Sequence, residues 1–296
     1  MKKPLILVTG ANGQLASAIR QLSAAMHDFE FLFPDREALP VHEPGLVQSY
    51  FTANAPDYCI NCAAYTAVDK AESDRDTAML VNGTAVGILA ASCKKAGAKF
   101  IHISTDYVFN GQANTAYTET AAVDPVNYYG LTKLKGEQIA ANSNSDSIII
   151  RTSWVYSAYG NNFVKTMLRL MKERTELNVV NDQFGSPTFA NDLASFILAI
   201  ITKTHQHASA WVPGVYHFSN ECIISWYDFA VAIRDFAGLN CKVNPIPTSQ
   251  FPTPAKRPAW SVMDKTKAKE IFGVQIPGWK DSLVHCLDEI SAVHPA

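Results

Sequence analysis

Leu5-Ile6-Leu7-Val8-Thr9-Gly10-Ala11-Asn12-Gly13-Gln14-Leu15-Ala16 is the stretch whose reading decides the fold. Leu5 to Thr9 are β-formers without apolar/polar alternation, which predicts a strand covered on both faces, as in a parallel sheet flanked by helices. The strand breaks at Gly10, and Leu15-Ala16-Ser17-Ala18-Ile19-Arg20 continues as helix. Gly10 permits the positive φ of a tight reversal, Gly13 lets backbone lie close to a pyrophosphate, and Ala16 is small enough for the helix to pack on the strand. The helix N-terminus then offers free N–H groups and a positive dipole end to phosphate. The spacing is Gly-x-x-Gly-x-x-Ala, a pattern that an ordinary strand-to-helix connection shares; its place in the first strand favours a dinucleotide site.

Phe29–Phe33 predicts a second strand, with Pro34-Asp35-Arg36 at its end. At that point of a dinucleotide fold an acid takes the ribose 2′-hydroxyl and a basic residue the 2′-phosphate, so Asp35 and Arg36 are cofactor candidates and Arg36 points to NADP. A solvated turn is the plain alternative. A third strand ends in the small residues Ala63 and Ala64 before Tyr65, on the same edge as the glycine loop. Thr77 to Ala96 reads as a helix capped by Gly97. Lys99–Ser104 is a fourth strand running into Thr105-Asp106-Tyr107, with His102 read as a satisfied core residue.

Pro125-Val126-Asn127-Tyr128-Tyr129-Gly130-Leu131-Thr132-Lys133 opens a further helix, in which Tyr129 and Lys133 share a face. Alone, such a pair is as readily surface decoration. An early glycine loop, hydroxyls at the end of the fourth strand and this pair at the next helix together argue for a site. Ser147–Arg151 is a fifth strand. Helices follow at 162–173 and 191–202, with a strand at Leu177–Val180 between them. From Gly214 the composition changes: a short strand Val215–Ser219, a helix Trp226–Phe236 capped by Ser225, a proline-rich stretch, and terminal helices near Lys265–Phe272 and Asp281–Ile290. The expected organisation is α/β: a Rossmann-type doubly wound parallel sheet over residues 1–155, then a smaller, mainly substrate-binding α/β part over 156–296. A segment of the latter, about 176–204, is expected to return to the first unit.

With 48% hydrophobic residues over 296 positions, the chain can bury one large core or split into two units. The formal charge is −2, from 25 basic and 27 acidic residues without like-charge blocks, so no nucleic-acid or anionic-membrane partner is expected. No apolar run reaches a membrane span, and Met1-Lys2-Lys3 leads straight into a strand, so a cytoplasmic protein is expected. The six cysteines form no disulfide framework, and Cys59 and Cys62 read as structural despite their metal-type spacing.

The chain resembles the extended short-chain dehydrogenase/reductase superfamily and, within it, the family of dTDP-4-dehydrorhamnose reductases. The resemblance spans most of the chain. It is carried by Thr9-Gly10-Ala11-Asn12-Gly13-Gln14-Leu15, by Asn61-Cys62-Ala63-Ala64-Tyr65-Thr66-Ala67-Val68-Asp69-Lys70-Ala71-Glu72 and by Ser104-Thr105-Asp106-Tyr107-Val108-Phe109. Tyr129-Gly130-Leu131-Thr132-Lys133, Arg151-Thr152-Ser153-Trp154-Val155-Tyr156, Gly160-Asn161-Asn162-Phe163 and Asn181-Asp182-Gln183-Phe184-Gly185-Ser186-Pro187-Thr188 complete it. The resemblance implies reduction of the C4 ketone of dTDP-4-dehydro-L-rhamnose by NADPH, with NADH as the alternative donor. It implies Tyr129 as proton donor, Lys133 as the ammonium that lowers the Tyr129 pKa, and Thr105 as a hydrogen-bond partner of the ketone oxygen. Ser104 is the alternative to Thr105, because strand alternation lets only one of the two face the site.

By the same resemblance the cofactor meets Gly10, Asn12, Gly13, Gln14, Leu15, Asp35, Arg36, Ala63, Ala64 and Tyr65, besides Tyr129 and Lys133. The sugar nucleotide lies over Val68, Thr105, Asp106, Tyr107 and Trp154. Arg257 either meets its pyrophosphate or is a surface charge. Some members are metal-bridged dimers through glutamates. The matching positions here are Ala18 and Asn191, which argues against a magnesium bridge and leaves monomer or homodimer open. Two other readings keep the fold: a non-catalytic NADP-binding regulatory subunit, and a reductase or epimerase of another nucleotide-sugar.

Overall fold

Parallel strands in a computed structural model, which describes residues 2–293, are Leu5–Thr9 (β1), Glu30–Leu32 (β2), Tyr58–Asn61 (β3), Lys99–Thr105 (β4), Ser147–Thr152 (β5) and Gly214–His217 (β6). They form one sheet in the order β6-β5-β4-β3-β1-β2. Every residue of β1 is buried, as its unbroken apolar run requires.

The helices are Gln14–Ser23 (α1), Pro44–Asn54 (α2), Arg75–Ala96 (α3), Tyr128–Ser143 (α4), Phe163–Glu173 (α5), Ala190–Gln206 (α6), Trp226–Phe236 (α7), Thr266–Phe272 (α8) and Trp279–Val293 (α9). Strand alternation divides the core. Ile6, Val8, Ile60 and Ile148 pack against α1 and α6, while Leu7, Cys59, Phe100 and Ile149 pack against α2, α3 and α4. Helix α3 is long and apolar enough to span a membrane by length and composition, but 56% of its apolar window is buried inside the protein. All six cysteines are free.

The chain leaves β1 outward to β2 and returns on the other side to β3, so the order reverses between β1 and β3. In such a sheet the crevice beyond the carboxyl ends at that reversal is where ligands bind. The glycine loop, the Ala63–Tyr65 segment and the end of β4 all lie there.

The second unit packs α5, α7 and α9 around Tyr156, Phe229 and Leu283, with Glu176–Val180 paired in parallel with Lys242–Ile246. Ser225 caps α7 in a reciprocal capping box with Asp228. Three features differ from the sequence reading. Gly214–His217 is the sixth strand of the main sheet and not part of the smaller unit, because α6 carries the chain back across the sheet face and seats Tyr216 fully buried beside β5. The return therefore begins after Glu176–Val180, which stays in the second unit. Helix α2 and strand Lys242–Ile246 have no counterpart in the reading; the strand contains Pro245, which a two-stranded ladder tolerates on its free edge.

Candidate active site

Gly10 sits at φ +69°, and a Cβ there would lie 2.7 Å from the backbone nitrogen of Ala63. Only a glycine lets the β1 and β3 loops meet this closely. Gly13 is the N-cap of α1 and supplies no side-chain cap, which leaves the first N–H groups of the helix to another acceptor. Below the loops, Thr9 Oγ1 donates to Asn61 Oδ1 at 2.7 Å, and Ala63 N–H donates to the same oxygen at 3.2 Å. Asn61 also bonds His102 Nδ1 at 3.1 Å. Burial, and then the Lys133 charge, hold the His102 imidazole well below its usual pKa, so it is a neutral core residue.

Asn82 escaped the sequence reading. It is fully buried in a π-turn of α3, Leu80–Thr84, accepts from Tyr65 N–H at 2.8 Å and donates to Tyr65 O at 3.0 Å. One side chain thus splints the loop that follows β3. An asparagine in the middle of an alanine-rich helix was the available signal, since it is an unfavourable residue there without such bonds.

Helix α4 starts where Asn127 Oδ1 accepts from Gly130 N–H at 2.8 Å. A Cβ on Gly130 would come within 2.2 Å of Tyr107 O, so this glycine lets the helix press on the end of β4. Tyr129, Lys133 and Thr105 are thereby brought to the same cavity. Lys133, 2% exposed, donates from Nζ to Ile103 O at 2.6 Å. Burial lowers its pKa to about 8, against the opposing pull of Glu137. The Tyr129 phenol is pushed up to about 12 by burial, although the neighbouring Thr105 hydroxyl acts the other way. Burial sets the direction of the Tyr129 shift, while the Lys133 ammonium is engaged by the Ile103 carbonyl. Of the two hydroxyls on β4, Ser104 turns away to Glu137 Oε1, and Thr105 donates to Asp106 Oδ1 at 3.0 Å. Asp106 is 1% exposed, and burial raises its pKa to about 6.

Three adjoining cavities form one trench. The first, about 490 Å³, contains Gly10, Asn12, Gly13, Asp35, Arg36 and Ala63–Tyr65. The second, about 580 Å³, shares Asn12, Gly13 and Ala64 with it and adds Gln14, Leu15, Val68, Asp106, Tyr107 and Trp154. The third, about 360 Å³, continues past Tyr107 to Trp226 and Arg257. Some predicted contacts have other work. Asp35 Oδ1 accepts from Glu37 and Ala38 N–H groups, and Gln14 Oε1 accepts from Ser157 and Asn162, tying the glycine loop to the second unit. Arg257 is half-buried and not a free surface charge: both of its terminal nitrogens bond Asp69, at 2.6 and 2.8 Å. Trp154 holds φ +47° and stacks on Trp226 at 3.6 Å, and Gly185 leaves room for its ring. Trp226 was not singled out from sequence, and Gly185 only as part of the Asn181–Thr188 motif, because their link to Trp154 is purely tertiary.

The metal-bridge positions do not fit magnesium, which takes carboxylate oxygens. Ala18 is buried, and Asn191 donates from Nδ2 to Glu289 Oε1 at 2.7 Å. Among the described residues no three His, Cys, Asp or Glu side chains are grouped to hold a metal ion.

A glycine loop at the reversal of a doubly wound sheet, facing a phenol, a buried lysine and a threonine hydroxyl, defines a nicotinamide-dependent oxidoreductase. Residues 2–292 match the family described as RmlD substrate binding domain, and the chain belongs to it. It is 42% identical to a dTDP-4-dehydrorhamnose reductase of Burkholderia thailandensis, over 96% of this chain and 98% of that one. The crystal structure of a dTDP-4-dehydrorhamnose reductase from Clostridium acetobutylicum superposes with TM-score 0.91 at 40% identity, covering 97% of this chain and 99% of that one. That of the Bacillus anthracis enzyme in complex with NADP gives TM-score 0.91 at 37% identity, covering 97% and 100%.

Proposed function

We propose that this protein reduces the C4 ketone of dTDP-4-dehydro-L-rhamnose to dTDP-L-rhamnose with NADPH, a step of nucleotide-sugar synthesis for cell-surface polysaccharide. The observation that carries the reading is the convergence of Thr105, Tyr129 and Lys133 on the cavity that continues from the glycine loop. The test is NADPH oxidation with a panel of 4-keto nucleotide-sugars: the dTDP-4-dehydro-L-rhamnose rate should exceed the others, and no oxidation with any of them overturns the reading.

The residues fit NADPH. The helix N-terminus without a side-chain cap suits a pyrophosphate, and the Gly10–Ala63 approach makes a cradle that a Cβ would fill. Asn12, Gly13 and the start of α1 would hold the phosphates, Ala63 to Tyr65 the adenosine side, and Lys133 with Tyr129 the nicotinamide ribose. Arg36, exposed beside the same cavity, would meet the 2′-phosphate. Replacing Arg36 with Ala should weaken NADPH binding ~10–100-fold, the range of one charge-assisted phosphate contact, and leave NADH nearly unchanged. Equal losses in a two-cofactor titration would exclude that role.

NADPH supplies the hydride when bound; the chain supplies the proton and the field. Charge develops on the ketone oxygen as it is reduced, and the Tyr129 O–H transfers its proton there. With its pKa at about 12 the phenol is protonated across the neutral range, so the proton is in place. Lys133, charged, stabilises the phenolate left behind. Thr105 turns its hydroxyl from Asp106 to the substrate oxygen and holds it in line. Asp106, Tyr107 and Trp154 enclose the sugar, and Arg257 exchanges an Asp69 contact for the pyrophosphate.

The Lys133 pKa fixes the sign of the pH dependence. The ammonium is charged below about 8 and neutral above it, whereas Tyr129 stays protonated to about 12. The kcat/KM for reduction should therefore fall along an alkaline limb centred near 8. A profile that stays level through that range would remove Lys133 from the mechanism.

A further inference from the structure

Residues 129, 133 and 137 lie one turn apart on one face of α4, and all three meet the end of β4. Lys133 donates to the Ile103 carbonyl, Glu137 Oε1 accepts from Ser104 Oγ, and Tyr129 lines the same cavity as Thr105. Two successive strand residues, Ile103 and Ser104, are thus held by two successive turns of the helix, next to the turn that carries Tyr129. Glu137 is 4% exposed, and its carboxylate is gripped by Arg151, Nε to Oε1 at 2.9 Å and Nη2 to Oε2 at 2.7 Å.

Stability is a poor reason for this arrangement. A buried ion pair returns little more than its desolvation cost, and an apolar pair of equal volume is commonly as stable. Here the cost is higher, because Arg151 Nη1 is buried without a partner. We propose that Glu137 is a positioning residue: through Ser104 and Arg151 it clamps the Tyr129–Lys133 helix to the strand that carries Thr105, and it sets a carboxylate one helical turn from Lys133. The proposal takes its catalytic consequence from the reductase reading above.

The groups that act on Lys133, or feel it, come from three elements: Cys62 after β3, His102 on β4, and Glu137 on α4 itself. Burial drives the Cys62 thiol far up and the His102 imidazole far down, so both are neutral at pH 7. Glu137, in an ion pair with Arg151 at 2.7 Å, supplies the negative charge near Lys133 and opposes the effect of burial there.

The experiment reads Lys133 directly, by NMR titration of its labelled ε-position in the protein without ligand, alongside the pH profile of kcat/KM. Glu137→Gln removes the charge and keeps the shape. Glu137→Gln combined with Arg151→Met removes it without leaving a buried cation unpaired, and serves if the single variant does not fold. In either, the Lys133 midpoint should drop by roughly 1 pH unit, and the alkaline limb should move with it. Ser104→Ala loosens only the clamp: kcat should fall several-fold with the midpoint in place. A Lys133 midpoint equal to that of the wild type in the folded charge variant overturns the proposal. If the wild type fails to reduce any 4-keto sugar, the reductase reading fails, and the NMR titration still decides the role of Glu137.

Discussion

Tyr129→Phe should reduce kcat for ketone reduction by ~10³-fold, about 4 kcal/mol of transition-state stabilisation, while NADPH still binds. The phenol shares the trench with Thr105 and has a proton to give at neutral pH, because burial raises its pKa to about 12. Phenylalanine keeps the edge-to-face packing on Tyr107, at 5.6 Å between ring centroids, so the loss should fall on the chemical step and not on folding. Single-turnover rates and a fluorescence titration of NADPH separate the two. A variant that keeps most of its rate with intact binding would show that the proton comes from elsewhere.

Gly10→Ala should be almost as damaging through a different cause. The added methyl would lie 2.7, 2.8 and 2.9 Å from the Ala63 nitrogen, the Cys62 carbonyl carbon and the Ala63 Cα, all backbone atoms that cannot rotate away. It would also hold a left-handed conformation, at a cost of ~1–2 kcal/mol. Strain and overpacking together should cost ~2–5 kcal/mol, visible as a lower melting temperature, with NADPH binding weakened at least ~10-fold as the two loops separate. Unchanged melting and affinity would mean that the β1 and β3 loops are not apposed in solution.

These two sites differ in how far sequence alone could reach them. Gly10 is legible because a glycine that ends an unbroken β-run, with a helix starting a few residues on, marks a tight reversal through backbone sterics alone. Tyr129 and Lys133 are legible as a helical pair, but their spacing is equally that of a surface pair, and only the docking of Gly130 against the Tyr107 carbonyl turns them inward. Ser104 against Thr105 was an alternation argument that named two candidates. The structure separates them by giving Ser104 a partner, Glu137, thirty-three residues further along the chain. The sixth strand was misplaced for a related reason: composition shifts at Gly214, but composition carries no information on which edge a returning strand joins.

Local sequence by itself determined the strand–glycine–helix opening, the buried character of β1, the capped helices, and the pairing of phenol and amine on one helical face. These follow from backbone sterics and hydrophobic period, which act over a few residues. Tertiary structure alone decided that Arg257 is held by Asp69, that Trp154 stacks on Trp226, that Asn82 splints the loop after β3, and that Lys133 sits between burial and the Glu137 charge. Each of these depends on groups far apart in the chain meeting where water is excluded, and there hydrogen bonds and charges gain a strength that no local pattern records.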